Sequence, residues 1–206
     1  MKNLINNLIT KIESVKANKN FNVNFFQLEK GYPLNELEEL LEGLELQLPE
    51  NLIDFYTEIG GLSFVWNIVP EAVKDKVPEE DLGYLTGSIQ LMNPFDMVMG
   101  KSGKRWKNVI WFDNSENSEK KKLQNFLPFD FPSTELAAGF ENDKNKILDK
   151  MSLFSSNDGL SFTELSLSDY LNNLIETAGF SYWQHFNQGY ESDAERCYKQ
   201  YMSLLF

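Results

Sequence analysis

The segment Leu48–Trp66, which reads LPENLIDFYTEIGGLSFVW, constrains the fold of this chain more than any other part of the sequence. Pro49 suits the first turn of a helix, where its missing N–H costs nothing. Four apolar residues then recur at helical spacing and form one face: Leu52, Phe55, Tyr56 and Ile59. We expect Gly60 and Gly61 to end this helix, because glycine adopts a left-handed backbone at little cost. The alternating residues that follow, up to Trp66, predict a strand.

The rest of the sequence predicts helices at both ends of the chain and strands between them. An apolar stripe predicts a helix over residues 3–17, and a second helix is expected from Asn35 as its N-cap. Residues 18–33 are interpreted as a connector that holds one extended piece, Asn22–Leu28. Pro128 interrupts Leu127–Phe131, which predicts an edge strand or an extended segment. Short apolar runs bounded by turn residues predict further strands at Phe64–Val69, Ser88–Met92, Asn108–Phe112, 136–140 and 147–156.

Two capping motifs predict the C-terminal helices. Ser166-x-x-Asp169 has the form of a capping box and begins an amphipathic helix that Gly179 ends. Ser192-x-x-Glu195 begins a final helix in the same way. Because helices cluster at the ends, we predict an α+β fold with a central, mostly antiparallel sheet of about five or six strands. We expect one domain over residues 1–206, with a C-terminal helical extension over 179–206.

Composition argues against several classes of function. The chain has 206 residues and a formal net charge of −12, from 31 acidic and 19 basic residues. Binding to nucleic acid or to an anionic membrane is therefore disfavoured, because both need a basic surface. No apolar run reaches the ~18 residues of a membrane helix, and the N-terminus lacks the pattern of a signal peptide. Cys197 is the only cysteine, so no internal disulfide can form. We expect a cytoplasmic protein.

Two ligand-binding motifs are present only in part. Gly100-Lys101-Ser102 resembles the end of a phosphate-binding loop, but Phe95 stands where the first glycine is needed. Residues 113–124 begin like a calcium loop, but Ser118 replaces its glycine and Gln124 its bidentate glutamate. We expect neither a cofactor nor a metal site.

The sequence also shows no clear set of residues for nucleophilic or acid–base catalysis. His185 is the only histidine, and we interpret it as a packing residue beside Trp183 and Phe186. Cys197 lies on the apolar stripe of the last helix, which is typical of a buried apolar residue. The sequence therefore predicts no catalytic residue, although paired carboxylates stay open because acids are so numerous.

Three pieces of the chain, in this order, resemble the SUKH superfamily, which contains the yeast cell-wall-assembly regulator and many bacterial immunity proteins of polymorphic toxin systems. The pieces are Leu48–Gly61, the strand of Trp66 with GSIQL at Gly87–Leu91, and the late pair Phe126–Asp130 and Ser166–Ile175. The fold-signature residues are Leu48, Pro49, Gly60, Gly61 and Trp66.

A SUKH-like core would span about residues 34–178. Gly60 replaces the usual asparagine, and Glu71–Asp81 and the residues after Gly179 have no counterpart in the family. The resemblance implies an α+β fold and protein binding, commonly of a toxin domain, and it brings no catalytic residues.

One charge pattern stands out. From Gly31 to Val73 the chain has nine acids and neither lysine nor arginine. Five of these acids lie on the second predicted helix: Glu36, Glu38, Glu39, Glu42 and Glu45. Neighbours one turn apart repel each other by ~0.2–0.5 kcal/mol per pair. We interpret the five as a contact surface for a basic protein partner. The alternative is a solvated face balanced by lysines elsewhere, such as Lys120–Lys122.

Together these features predict a non-enzymatic protein-binding module, of the immunity type, that neutralises a toxin domain by covering it. A cytoplasmic regulatory or scaffold protein of the same fold is the first alternative. The second is a hydrolase, which requires a concave pocket with two acids, one of them with a raised pKa. We expect a monomer or a weak homodimer. The extension either packs on the core or forms a dimer through Tyr198, Tyr201 and Leu205.

Overall fold

The computed structural model describes residues 1–99, 123–156, 158–163, 165–186 and 191–205. Several segments that carry predictions lie outside these ranges: Gly100-Lys101-Ser102, Asn108–Phe112, Lys120–Lys122 and residues 113–122 of the calcium-like loop. The helices of the described part are α1 (Lys2–Ala17), α2 (Leu34–Gly43), α3 (Glu50–Glu58), α4 (Pro70–Val73), α5 (Pro94–Met99), α6 (Leu167–Thr177) and α7 (Asp193–Leu205). Two 3-10 turns cover Glu79–Tyr84 and Trp183–His185.

Within the described ranges, seven strands form one antiparallel sheet, and their order in the sheet is their order along the chain. They are β1 (Phe21–Lys30), β2 (Ile59–Ile68), β3 (Thr86–Leu91), β4 (Phe126–Ser133), β5 (Leu136–Asp143), β6 (Lys146–Ser155) and β7 (Gly159–Phe162). The α+β class, the antiparallel sheet and the helices at both ends are thus confirmed. The prediction of five or six strands is too low.

The extra strands lie at the two edges of the sheet. The extended piece expected at Asn22–Leu28 is the full strand β1, and β7 was not expected at all. Of the ten residues of β1 only Phe21 is buried, because an edge strand is paired and covered on one side only. Strong apolar alternation is therefore missing from β1, and its strand character is hard to see in the sequence.

The side chains of the sheet divide between two apolar clusters. Ala138 and Leu153 belong to the main core, whereas their neighbours Ala137 and Phe154 belong to a smaller cluster. Successive side chains of a strand point to opposite faces, so the two clusters lie on opposite faces of the sheet. Helix α1 packs against α6, α3 and β1, which places the main core between these helices and the sheet.

Trp66 joins three parts of the fold in the main core. Its ring covers Gly87 of β3 so closely that a Cβ on this glycine would lie 2.4 Å from ring atoms. Phe21 of β1 meets the indole edge-on, with ring centroids 5.1 Å apart. The indole N–H donates to the carbonyl of Ala178, at the end of α6, over 2.8 Å. Trp66 therefore holds β1, β3 and α6 together.

The expected role of Gly60 and Gly61 as a left-handed helix stop is wrong. Helix α3 ends at Glu58, and both glycines lie in extended backbone within β2. A Cβ on Gly60 would lie 2.6 Å from the carbonyl oxygen of Lys30, and one on Gly61 would lie 3.1 Å from that of Leu91. Glycine is needed at both positions because the backbone of neighbouring strands approaches closely there. This approach depends on contacts between segments that are distant in the sequence.

The expectation of an edge strand at Leu127–Phe131 is also wrong, because β4 is the middle strand of the seven. Proline is tolerated there because β3 and β4 pair in register at one position only, Leu91 with Asp130. The carboxylate of Asp130 accepts the backbone N–H of Gln90 over 2.8 Å and replaces a missing ladder bond. A side chain thus completes the centre of the sheet.

Local signals identify the C-terminal helices well. Ser166 and Asp169 form the full capping box of α6, and the left-handed backbone at its end begins at Ala178 and continues at Gly179. Ser192 accepts the N–H of Glu195 at the start of α7, and the Glu195 carboxylate forms an ion pair with Lys199 one turn further on.

The C-terminal extension packs on its own chain. Cys197, Tyr201 and Leu205 of α7 are buried in the main core. Arg196 forms two hydrogen bonds with the buried Asp81, and Tyr201 donates a third to the same carboxylate over 2.7 Å. These contacts lower the pKa of Asp81 to about 2, with Arg196 as the largest cause. The insert Glu71–Asp81 is therefore tied to the extension.

We predict that Gly87→Ala lowers the free energy of unfolding by about 2–3 kcal/mol, because the new methyl group displaces the buried Trp66 ring. Gly83→Ala is the matched control, since a Cβ at Gly83 would meet nothing within 4 Å. We expect the control to change stability by less than ~0.5 kcal/mol in urea unfolding. Equal stability of the two variants would contradict the close Trp66–Gly87 contact.

Candidate binding surface

Helix α2 presents the predicted acidic residues to solvent. It begins at Leu34 with Pro33 as its N-cap residue, two residues before the start that an Asn35 cap would require, and no side chain caps it. Leu37 and Leu41 bury its inner face in the main core. The five predicted contact residues are all exposed: Glu36, Glu38, Glu39, Glu42 and Glu45. The structure therefore brings them together on the outer side of one helix and its C-terminal turn.

No described residue neutralises these five carboxylates. None of them forms an ion pair or a side-chain hydrogen bond within the described part of the chain. Helix α3 adds exposed acids of its own, Glu50, Asp54 and Glu58. The balancing lysines of the alternative interpretation, Lys120–Lys122, lie outside the described ranges. We call the exposed surface of α2 and α3 the acidic face. The buried residues on the opposite side of both helices pack in the main core.

Glu45 holds a strained backbone at the end of the acidic face. Its φ of 52° lies in the left-handed region, where glycine is strongly preferred. The N–H groups of Glu45 and Leu46 donate to the carbonyls of Glu42 and Leu41, which is the pattern of a Schellman motif. Its side chain gains no hydrogen bond in exchange within the described part of the chain. An acid therefore occupies a position where glycine would be more stable.

We expect Glu45→Gly to be about 1 kcal/mol more stable than Glu45→Ala, because both remove the charge and only glycine relieves the strain. Thermal and urea unfolding of the two purified variants measure this difference. Equal stabilities would mean that residue 45 is not held in the left-handed region in solution.

The described residues also line two large cavities, away from α2, that are open to solvent. A cavity of about 560 Å³ lies between α6, α7 and the end of the sheet, with Tyr170, Trp183, Phe186 and Tyr198 among its walls. The second has about 500 Å³ and contains three acids, Glu135, Asp158 and Asp193, together with His185. Both volumes fall in the range of small-molecule sites.

The acids of the second cavity are each held by a hydroxyl group. Tyr182 donates to Glu135, Tyr84 to Asp193 and Ser155 to Asp158, each over 3.3 Å. His185 is partly exposed, and its ring makes no hydrogen bond with a described residue. The structure thus brings the lone histidine near carboxylates, but it does not assemble a hydrogen-bonded nucleophile–histidine–acid chain from the described residues.

Asp130 is the buried carboxyl group with a raised pKa. It is fully buried in the centre of the sheet, and besides the Gln90 N–H it accepts the hydroxyl of Tyr170 over 2.8 Å. Burial raises its pKa to about 6, although the two hydrogen bonds oppose this rise. Asp130 lines neither of the two large cavities. A paired-carboxylate hydrolase requires an acid with a raised pKa in its pocket. Asp130 has such a pKa, but it does not line the cavity that contains the three acids.

Stability should depend on the charge of Asp130. Because its folded pKa of about 6 lies above the unfolded value of 3.8, the folded state keeps the proton longer. The resulting stabilisation is complete below pH ~4 and is lost as the pH rises through ~6. A shift of about two pH units corresponds to ~3 kcal/mol at most.

We therefore predict that Asp130→Asn removes this part of the pH dependence. The variant should gain stability relative to the wild type between pH 4.5 and 7.5, by about 1–3 kcal/mol. Urea unfolding of both proteins at the two pH values measures the change in their difference. A difference that stays constant would show that Asp130 does not titrate in this range.

Cys197 is buried, and burial raises the pKa of its thiol to about 11, so the thiolate is disfavoured. In the described part of the chain no three His, Cys, Asp or Glu side chains are placed to hold a metal ion. Among the described helices none combines the length and the apolar character needed to cross a membrane. The chain matches no protein-family model, no curated protein and no solved structure.

Proposed function

We propose that this protein is a non-enzymatic protein-binding module that holds a basic surface of another protein against the acidic face of α2. The observation that carries the proposal is a group of five exposed glutamates, on α2 and the turn after it, that form no ion pair with a described residue, while the other side of the helix is buried in the core. The repulsion among them is not offset by ion pairs with described residues, so a basic partner would relieve it.

The physical advantage of such a surface lies in the rate and the selectivity of association. Clustered like charges on a rigid surface attract an oppositely charged protein over a distance of about a Debye length. The net charge of −12 strengthens this attraction and repels acidic proteins. The proposed complex is therefore sensitive to salt.

The resemblance to the SUKH superfamily supports a toxin domain as the partner. A toxin that acts on nucleic acid needs a basic substrate surface, and an acidic protein that covers this surface would block it. A regulatory or scaffold protein of the same fold is the alternative, with a partner unrelated to toxins. The neighbouring genes distinguish the two, because a toxin gene next to this one favours immunity.

We predict that replacing Glu36, Glu38, Glu39 and Glu42 by glutamine abolishes capture of the partner. The tagged protein is incubated with lysate of its native host at low salt, and bound proteins are identified by mass spectrometry. The wild type should retain a basic protein that the glutamine variant loses and that moderate salt releases. The variant should unfold at the same or a slightly higher urea concentration, because repulsion along the helix is removed.

A second variant controls for total charge. Glu71→Gln, Asp75→Asn, Glu79→Gln and Glu80→Gln remove four exposed charges from another part of the surface. This control should capture the partner as the wild type does. If both variants bind equally well, or if no basic protein is retained by the wild type, the proposed role of α2 is wrong.

A further inference from the structure

Strand β1 leaves one long edge of the sheet open in the described part of the chain. It is the first of the seven strands and pairs with β2 alone. Six of its ten residues are exposed. Between Asn22 and Lys30, no described residue outside β2 forms a backbone hydrogen bond with it. The outward N–H and C=O groups can therefore pair with another strand. We call this open side of Asn22–Lys30 the β1 edge.

The β1 edge lacks most of the features by which proteins prevent such pairing. Charged side chains, proline and bulges usually protect an edge strand. From Asn20 to Leu28 the chain has no charged residue and no proline. Two large apolar side chains of the edge, Phe25 and Leu28, are 47% and 41% exposed. A bulge at Asn24 is the only interruption of the register with β2 before Glu29. An edge of this kind favours pairing with a further strand.

The bulge leaves most of the strand regular. It divides β1 into two pieces that each keep a continuous register with β2, Phe21–Val23 and Phe25–Glu29. The side-chain amide of Asn24 donates to the Oδ1 atom of Asn67 on β2 over 2.8 Å, so the extra residue is tied to β2.

The segments that precede and follow β1 carry opposite charges. The twenty residues before it contain four lysines and one glutamate, and the last two lysines, Lys16 and Lys19, are exposed. The Lys16 ammonium lies 4.3 Å from the centre of the Phe26 ring, so this basic segment contacts β1 directly. At the other end, Lys30 is followed by Gly31–Val73, which has nine acids and no basic residue. Strand β1 thus runs from a basic segment to an acidic one.

We propose that the β1 edge pairs with the β1 edge of a second copy of this chain, antiparallel and about a two-fold axis near Asn24. Antiparallel pairing places the start of each β1 beside the end of the other, so the basic segment of one copy meets the acidic segment of the second. Parallel pairing would place like charges together. The net charge of −12 opposes contacts between copies elsewhere, so local attraction at both ends selects this surface.

The two-fold axis makes the interface self-complementary. The piece Phe21–Val23 of each copy lies beside Phe25–Glu29 of the other, and the two bulges lie near the axis. The exposed Phe25 of each copy then meets residues around Asn24 of the other, where aromatic and β-branched side chains form favourable cross-strand pairs. The two sheets become one continuous sheet. This interface goes beyond the proposed function, because it needs no partner at α2.

Sedimentation equilibrium of the full chain tests the inference. A single pair of strands buries less area than a standard interface, so we expect a monomer–dimer equilibrium with a Kd of about 10–100 µM. Amide hydrogen exchange at about one tenth and about ten times this Kd locates the interface. The amides of Asn22–Lys30 should gain protection only at the higher concentration.

A charge on the β1 edge should weaken the dimer. Phe25→Lys should raise the Kd at least about tenfold. Leu148→Lys is the matched control, because Leu148 is 39% exposed on β6 and the change in charge is the same. The control should change the Kd by less than about twofold. Gln27→Lys, at a second exposed position of the edge, should act as Phe25→Lys does. The circular dichroism spectrum and the urea midpoint verify that each variant folds.

Lys19→Glu tests the antiparallel orientation. It reverses a charge at the start of β1 and should raise the Kd about threefold or more, because the acidic segment of the second copy then meets a carboxylate. Lys19→Gln removes the charge without reversing it and should have a smaller effect in the same direction.

Three results would overturn the proposal. The first is a chain that stays monomeric at about ten times the upper end of the expected Kd range. The second is a dimer whose Kd is unchanged by Phe25→Lys and Gln27→Lys, since it would use another surface, and an unchanged Kd for Lys19→Glu would contradict the antiparallel orientation. The third is a monomeric chain that loses a captured protein on Phe25→Lys, because the edge would then take a strand of another protein.

Discussion

The contact of the Trp66 ring with Gly87 is the constraint on which the rest of the structure depends. It requires a glycine on β3, and it directs the indole N–H to the carbonyl of Ala178, the residue that follows α6. The segment after α6 is thereby laid along β3, where Ser88 donates its N–H to Gly179 and Ser181 donates to Thr86. The segment after α6 therefore pairs with the N-terminal half of β3, at Thr86 and Ser88. Strand β4 pairs in register with β3 only at its C-terminal end, where Leu91 lies opposite Asp130.

The central polar contact follows from the same geometry. Where β4 leaves β3, the Asp130 carboxylate accepts the backbone N–H of Gln90 in place of a β4 carbonyl. Burial disfavours the charged form of this carboxyl group and therefore raises its pKa. The Tyr170 hydroxyl then fixes α6 over the centre of the sheet. One aromatic contact and one buried acid thus determine where the C-terminal helices lie.

Local signals in the sequence were sufficient for the longer helices and for the fold class, but they did not predict the short helices α4 and α5, and they were insufficient where contacts between distant strands decide. The capping box of α6 depends on residues three positions apart, so it could be identified without the fold. Gly60 and Gly61 were misinterpreted because the same residue type serves a helix stop and a close strand contact. Pro128 was misinterpreted because the sequence does not show that β4 lies between two strands and pairs with one of them, β3, at a single position. The strand β1 was underestimated because its residues are mostly exposed.

The candidate site shows the same division. The exposure of the α2 glutamates could be predicted, because the helical period places Leu37 and Leu41 on the opposite side. The strain at Glu45 could not, because it depends on a turn conformation that residues other than glycine rarely adopt. The resemblance to the SUKH superfamily stays a prediction.

Amide hydrogen exchange of the protein, free and bound to a purified partner, tests the central claim most directly. The account predicts new protection over residues 34–46, with little change at the two cavities near α7. Protection confined to the cavity that holds His185, or protection that is absent from α2, would contradict it.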